Sequence, residues 1–314
     1  MTRKSMASLA ALCAATVLAG SAGAQQAQLY VPLVSKGFQH QFWQAVKSGA
    51  EQAGKDYNVR ITFEGPETEA MVDKQIDMLT SALAKHPAAI GFAALDSKAA
   101  IPLLKKAQAQ KIPVIAFDSG VDSDIPVTTA TTDNKAAAGM AADKMAQLIG
   151  DAGEVGLVVH DQTSRTGIDR RDGFVDRMKS AHPNVKIVSV QYGGGDHLKS
   201  TEVAKAILQA YPNLKGIFGS NEGSAAGVVN AVRETHRKVV VIGYDSGKQQ
   251  KDAIRDGIEA GAITQNPVGI GYKTVEAAVK ALKGEKLPKV IDTGFYWYDK
   301  TNIDDPKIAA VLYD

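Results

Sequence analysis

Apolar runs of strand length alternate with longer segments of helical periodicity along nearly the whole chain. The runs at 28–35, 59–64, 88–95 and 113–118 predict strands, and the stretches 39–56, 67–85 and 98–110 between them predict helices. In the 67–85 stretch, Val72, Ile76, Leu79 and Leu83 recur at spacings of four, three and four, which sets them on one helix face with Met71, Met78 and Ala82 beside them. A second series follows, with strands at 154–160, 186–191, 216–219 and 239–245 and helices at 135–149, 170–181, 200–211, 225–233 and 248–255. Strands alternating with helices of this length argue for βαβ units and parallel sheets, with helices on both faces. The pattern therefore predicts two similar α/β lobes, each a doubly wound parallel sheet. The tail, 260–314, supplies further strand and helix that return to both.

One short motif occurs once in each series. A β-type run ends in an aromatic residue and Asp-Ser-Gly, first at Phe117-Asp118-Ser119-Gly120 and again at Tyr244-Asp245-Ser246-Gly247. Asp-Ser-Gly is ordinary turn chemistry after a strand. Two copies in matched contexts instead suggest a shared site, because ligands in open α/β sheets sit at the carboxyl ends of strands. Asp118 and Asp245 would then face one cleft between the lobes.

Other strand ends add polar and aromatic candidates. The loop from Ser35 to Trp43 follows the first strand and is dense in aromatics for a chain with 6% Phe, Trp and Tyr. Phe42 and Trp43 are neighbours on a helix start and cannot both face the same way; both could pack the core, and at least one is expected at the cleft. His40 reads as a polar loop residue. Arg165, Arg170 and Arg171 cluster near a helix start, where the helix dipole disfavours cations. Either a ligand or the neighbouring Asp169 and Asp172 would compensate them. Asn221 is placed to cap a helix or to meet a hydroxyl group, and Gln265 in a crossing segment carries the same ambiguity.

The first residues stand apart from this pattern. Arg3 and Lys4, the apolar 7–19 run and the small residues Ala22-Gly23-Ala24 predict a signal peptide spanning residues 1–24. The apolar run is shorter than the ~20 residues of a spanning helix. Cys13, the only cysteine, lies within it, so cleavage would leave a chain without thiol or disulfide chemistry. Cleavage would also remove two cations and no carboxylate, taking the formal charge from +2 to zero. A neutral chain has no basic field for nucleic acid and no polybasic membrane patch. Nucleotide loops, nucleophile elbows and zinc signatures are missing, and the six histidines lack ligand spacing, so no cofactor or metal is expected. Asp118 and Asp245 as an acid/base pair of a secreted hydrolase is a minor alternative.

With the signal peptide, the two lobes and the strand-end residues in view, the chain resembles the periplasmic sugar-binding proteins of ABC importers, in particular the ribose-binding-protein-like group. The resemblance covers the whole of residues 25–314. It implies two lobes joined by a three-strand hinge, closing over one monosaccharide or related polyol in the cleft. It implies a periplasmic, monomeric, non-enzymatic protein that delivers its ligand to an ABC permease in the inner membrane. A receptor of the same fold serving a membrane signalling sensor is the alternative. Carried over by motif, the ligand residues are Ser35, Phe42, Trp43 and Asp118 from the first lobe, Arg170, Asn221 and Asp245 from the second, and Gln265 at a crossing. Ser119 stands where ribose binders carry arginine, which sets ribose itself in question. Crossings are expected near Thr132, Asn266 and Asp292, giving a first lobe of 25–131 plus 267–291 and a second of 133–265 plus 292–314.

Overall fold

The computed structural model describes residues 28–314; the expected signal peptide and Cys13 lie outside the described residues. The first sheet contains β1 (Tyr30–Val34), β2 (Arg60–Glu64), β3 (Ile90–Phe92), β4 (Val114–Phe117), β5 (Thr128–Thr131) and β11 (Val290–Asp292). They run parallel in the order β11-β5-β4-β3-β1-β2. The second sheet contains β6 (Gly153–Val159), β7 (Val185–Tyr192), β8 (Leu214–Gly219), β9 (Val240–Tyr244), β10 (Gly261–Gln265) and β12 (Phe295–Tyr298), in the order β12-β10-β9-β8-β6-β7. All its pairings are parallel except β12 against β10, an antiparallel edge that the expectation of wholly parallel lobes did not contain.

Helices cover both faces of each sheet. In the first lobe α1 (Gln41–Asp56) and α9 (Pro267–Leu282) bury one core against Val31, Leu33, Ile115 and Phe117. On the other face α2 (Val72–Ala84) and α3 (Ile101–Ala109) pack on Val34, Ile90, Phe92 and Val114. In the second lobe α4 (Asn134–Ile149) and α5 (Arg165–Ala181) form one layer, and α6 (His197–Ala210) and α7 (Glu222–Thr235) the other. Two short helices, α8 (Lys248–Arg255) and α10 (Pro306–Ala309), complete this lobe around Ile254, Ile303, Ile308 and Tyr298. Strands covered on both sides read as continuous apolar runs, which is why β1 and β4 are buried at every position. The chain passes between the sheets three times: from β5 to α4 through Thr132 and Asp133, from β10 to α9 through Asn266, and from β11 to β12 through Thr293 and Gly294.

Several helices begin earlier than their apolar periodicity. Ser164, Asp196 and Asn221 accept the Gly167, Lys199 and Ser224 backbone N–H groups and start α5, α6 and α7 with polar first turns. Arg170 therefore lies in the second turn of α5, and the argument from an unfavourable helix start applies to Arg165, which pairs with Asp169 at 2.6 Å. On α2 the fully sequestered face is Gln75, Leu79, Ala82 and Leu83, while Val72, Ile76 and Met78 are half-buried and Met71 is exposed. Gln75 is buried because its amide joins two strand ends, donating to the Ser35 and Ala93 carbonyls and accepting from Leu95 N–H.

Candidate functional site

The two Asp-Ser-Gly segments share a left-handed aspartate and differ at the serine, whose N–H donates to the Phe117 carbonyl in the first and to Tyr313 Oη in the second. Asp118 follows β4 and Asp245 follows β9, with φ of 53° and 77°. Left-handed backbone at a non-glycine residue is uncommon and more accessible to Asp than to most side chains. Each is held alike: Asp118 N–H donates to the Ala130 carbonyl of β5 at 2.9 Å, and Asp245 N–H to the Ile263 carbonyl of β10 at 2.7 Å. Thr131 Oγ1 donates to the Asp118 carbonyl and Tyr298 Oη to the Asp245 carbonyl. The repeated turn aims both carboxylates into the interlobe space.

Around that space the first lobe contributes Lys36, His40, Phe42, Trp43, Glu69 and Asp118, and the second His160, Arg170, Asn221 and Asp245, with Gln265 at a crossing. The enclosed volume is about 10 Å³, room for about one water molecule. Contacts join the lobes across it. Lys36 Nζ donates to Thr166 Oγ1 at 3.2 Å and lies 3.8 Å from Glu69 Oε2. Asn221 Nδ2 reaches Glu69 Oε2 at 3.4 Å while its oxygen caps α7, the capping role expected of this amide. Arg170 Nε donates to Asn134 Oδ1 and Nη1 to the Ser220 carbonyl, and its guanidinium lies 3.8 Å above the Tyr244 ring. Its nearest approach to Asp245 Oδ2 is 3.9 Å, an ion pair without a hydrogen bond. Asp245 instead accepts from Gln265 Nε2 at 2.7 Å and from Glu222 N–H at 3.0 Å. Gln265 Oε1 accepts from Thr132 Oγ1, which links two of the crossings.

Phe42 and Trp43 are adjacent on α1, yet both line the space and both are buried. Their rings meet edge to face at 5.0 Å. Trp43 Nε1 donates to Glu69 Oε1 at 2.8 Å, and Phe42 packs against Tyr313 from the tail. The start of α1 is covered over the arc that holds both rings, while Gln44 on the remaining side is exposed. Ser35 and Ser119, by contrast, do not line the space. The Ser35 hydroxyl turns back to the Gly37 and Glu64 carbonyls, and Ser119 is buried beneath its turn with Oγ unpartnered.

The electrostatics follow from burial and neighbours. Burial opposes the Lys36 charge, but Glu69, Asp161 and Asp118 outweigh it and raise its pKa. Burial likewise opposes the Glu69 charge, and Lys36 with His40 overcomes it. Asp118 is pushed up to about 6 by burial, against the pull of Lys36 and Arg170. No described residue donates a hydrogen bond to its carboxylate. Burial takes His160 down to about 3, leaving a neutral imidazole between Ser220 and Thr166. The set thus combines fixed donors, carboxylate acceptors and an aromatic wall, which suits a ring with apolar faces and hydroxyl edges.

Lys36, Glu69 and His160 are site residues that the sequence does not single out, and His40, a polar loop residue in the sequence, also lines the space. Lys36 and His160 follow β1 and β6 closely, so the rule that singled out Asp118 and Asp245 could have found them. Glu69 sits in the loop after β2, where no pattern marks it. A larger hollow, about 650 Å³, opens at the far end of the second sheet near Leu148. Two of its three cations are engaged with carbonyls, Lys215 with Ala152 and Arg237 with Pro212, Lys238 is exposed, and no carboxylate or aromatic ring lines it. Among the described residues no group of His, Cys, Asp and Glu could hold a metal ion, and no helix is long and apolar enough to cross a membrane.

Comparison with known proteins agrees with this architecture. The D-ribose/D-allose-binding protein of Pseudomonas aeruginosa is 29% identical over 265 residues, covering 81% of this chain and 82% of that protein. A carbohydrate transporter solute-binding protein from Agrobacterium radiobacter, solved with D-arabinose, superposes with a TM-score of 0.88 at 33% identity, covering 91% of this chain and 99% of that one. An ABC transporter solute-binding protein from Agrobacterium vitis with bound D-fucose gives 0.87 at 33% identity, over 90% of this chain and all of the other. The profile of the periplasmic binding protein domain matches residues 31–286, and the chain belongs to that family of binding proteins, which are not enzymes.

Proposed function

We propose that this chain captures a monosaccharide of pentose or hexose size in the periplasm, as a monomer, and presents it to an ABC permease. The observation that carries the reading is the pair Asp118 and Asp245, one from each lobe, in matched left-handed turns facing one aromatic-walled space. Sugars bound by the relatives, D-arabinose and D-fucose, have the ring and hydroxyl pattern that such a set accommodates. Asp118 and Asp245 accept from ring hydroxyls, Arg170, Lys36, Asn221 and Gln265 donate, and Phe42 with Trp43 covers an apolar face. Buried polar groups left unpaired cost ~1–3 kcal/mol each, so an analogue lacking one hydroxyl is rejected.

A ~10 Å³ space is far smaller than the roughly 300–1,000 Å³ of ordinary small-molecule pockets. The ligand therefore enters when the lobes part, with residues 28–131 and 267–291 moving against 133–265 and 292–314 about the three crossings. A thermal-shift panel of pentoses, hexoses and polyols, followed by calorimetry of the best ligand, tests the reading. One sugar should raise the melting temperature strongly and bind at one site per chain. A flat panel would remove the proposal.

A further inference from the structure

Two helices that meet across the lobe boundary lack side-chain caps of their own. The N-cap residue of α1 is His40 and that of α8 is Gly247, and neither makes a side-chain capping bond. Each helix start is completed from the opposite lobe. Glu222, the first residue of α7 in the second lobe, accepts the Gln41 and Phe42 N–H groups of α1, each at 3.1 Å, one on each carboxylate oxygen. Gln41 in the first lobe returns the contact, its Oε1 accepting Lys248 N–H of α8 at 2.9 Å. A carboxylate at a helix N-terminus meets both unpaired N–H groups and the positive end of the helix dipole.

Three further contacts converge here. Tyr313 Oη donates to Glu222 Oε2 at 3.1 Å and accepts Ser246 N–H at 3.2 Å, while its ring packs on Phe42. Glu222 N–H donates to Asp245 Oδ2. Gly247 supplies the room: a Cβ there would stand 2.9 Å from Glu222 Cδ and 3.1 Å from Gln41 Oε1. Its φ of −55° is open to any L-residue, so the glycine answers to this packing and not to backbone strain. The first Asp-Ser-Gly has no such neighbours, with only Thr129 near Gly120, at 3.8 Å.

We infer that Glu222 and Gln41 form a reciprocal latch between the lobes, each capping a helix of the other lobe, and that the latch sets the rate of ligand release. These are positioning residues. They reach the ligand only through Asp245, to which Glu222 N–H is bonded, and through Phe42, whose N–H Glu222 holds. The inference rests on the sugar-binding reading above. When the lobes part both helix starts return to water, so the contacts contribute to the closed form alone.

Stopped-flow binding of the tightest sugar from the panel, with ligand-free melting temperatures, tests this on Gln41→Ala, Glu222→Ala and Gly247→Ala. Release should accelerate about fivefold or more in Gln41→Ala and about tenfold or more in Glu222→Ala, the scale of a lost cap or charged hydrogen bond. Association should stay within about twofold, because affinity differences within one interface reside mainly in release. Gly247→Ala should also speed release, because its Cβ crowds Glu222 and Gln41 in the closed form. Gln41 is half-buried at the boundary, so its truncation leaves folding intact even if Glu222→Ala folds poorly. Parent-rate release in Gln41→Ala and Gly247→Ala would overturn the latch while the sugar-binding reading stands. A parent protein that binds no sugar would remove both.

Discussion

Replacing Asp118 by Asn should move stability and binding in opposite directions. The Asp118 carboxylate is buried, receives no hydrogen bond from a described residue and has its pKa pushed up to about 6 by burial. A folded value about two units above the ordinary 3.8 means that ionisation opposes folding. That opposition is absent below pH 3.8, grows as pH rises and is complete above about 6. At 1.36 kcal/mol per unit it amounts to about 3 kcal/mol at pH 7. Asparagine keeps the shape and tolerates the positive φ of this position. The ligand-free variant should therefore melt above the parent at pH 7, with the difference shrinking towards pH 4. In the complex a hydroxyl-to-carboxylate bond worth ~1.5–3 kcal/mol is lost, so affinity should fall about ten- to a hundredfold. Calorimetric unfolding at several pH values and titration with the best sugar read the two effects. A variant that melts no higher than the parent at pH 7, or that binds sugar with parent affinity, would refute the reasoning.

Three further outcomes follow from the geometry. Arg170→Ala and Asp245→Asn should each weaken sugar binding by ~2 kcal/mol or more, and their double mutant should fall short of additivity, because Asp245 joins Arg170, Gln265 and Glu222 in one network; strict additivity in calorimetry would dissolve the network. Glu259 is buried, with Gln250 as its hydrogen-bond partner and a pKa pushed up to about 8 by burial, so the neutral form favours folding below pH 4.5 and that support is lost as pH rises through about 8. Glu259→Gln should flatten the fall in melting temperature between pH 5 and 8.5, and parallel curves for parent and variant would contradict this. Small-angle scattering should show a smaller radius of gyration at saturating sugar, and an unchanged curve would argue against lobe closure.

The legible part of this protein was its strand ends. The alternation of apolar runs and helical periodicity gave the two-lobe order, since buried parallel strands are apolar at every position. The doubled Asp-Ser-Gly was visible because the same turn requirement recurs in both lobes. What stayed hidden depends on contacts between distant segments. The strand β5 is three threonines and an alanine, with no apolar run to mark it. Helices α5, α6 and α7 open on polar first turns whose stability comes from their caps, so periodicity placed their starts three to five residues late. Phe42 and Trp43 are both buried because distant segments cover them, Tyr313 near the end of the chain packing on Phe42 and Phe117 on Trp43. Glu69 acquires its place only when the lobes bring Lys36 and Asn221 beside it. Ser35 and Ser119 lie beside the right turns, but neither lines the space: Ser35 bonds the Gly37 and Glu64 carbonyls, and the Ser119 hydroxyl is buried without a partner.

The central claim is that a sugar ring lies between the lobes, with Asp118 on one side and Asp245 on the other. A crystal structure with the best ligand of the sugar panel tests it most directly. It should show one sugar whose hydroxyls reach both carboxylates, with Phe42 or Trp43 against an apolar ring face. A sugar bound elsewhere, or touching only one of the two aspartates, would contradict the account.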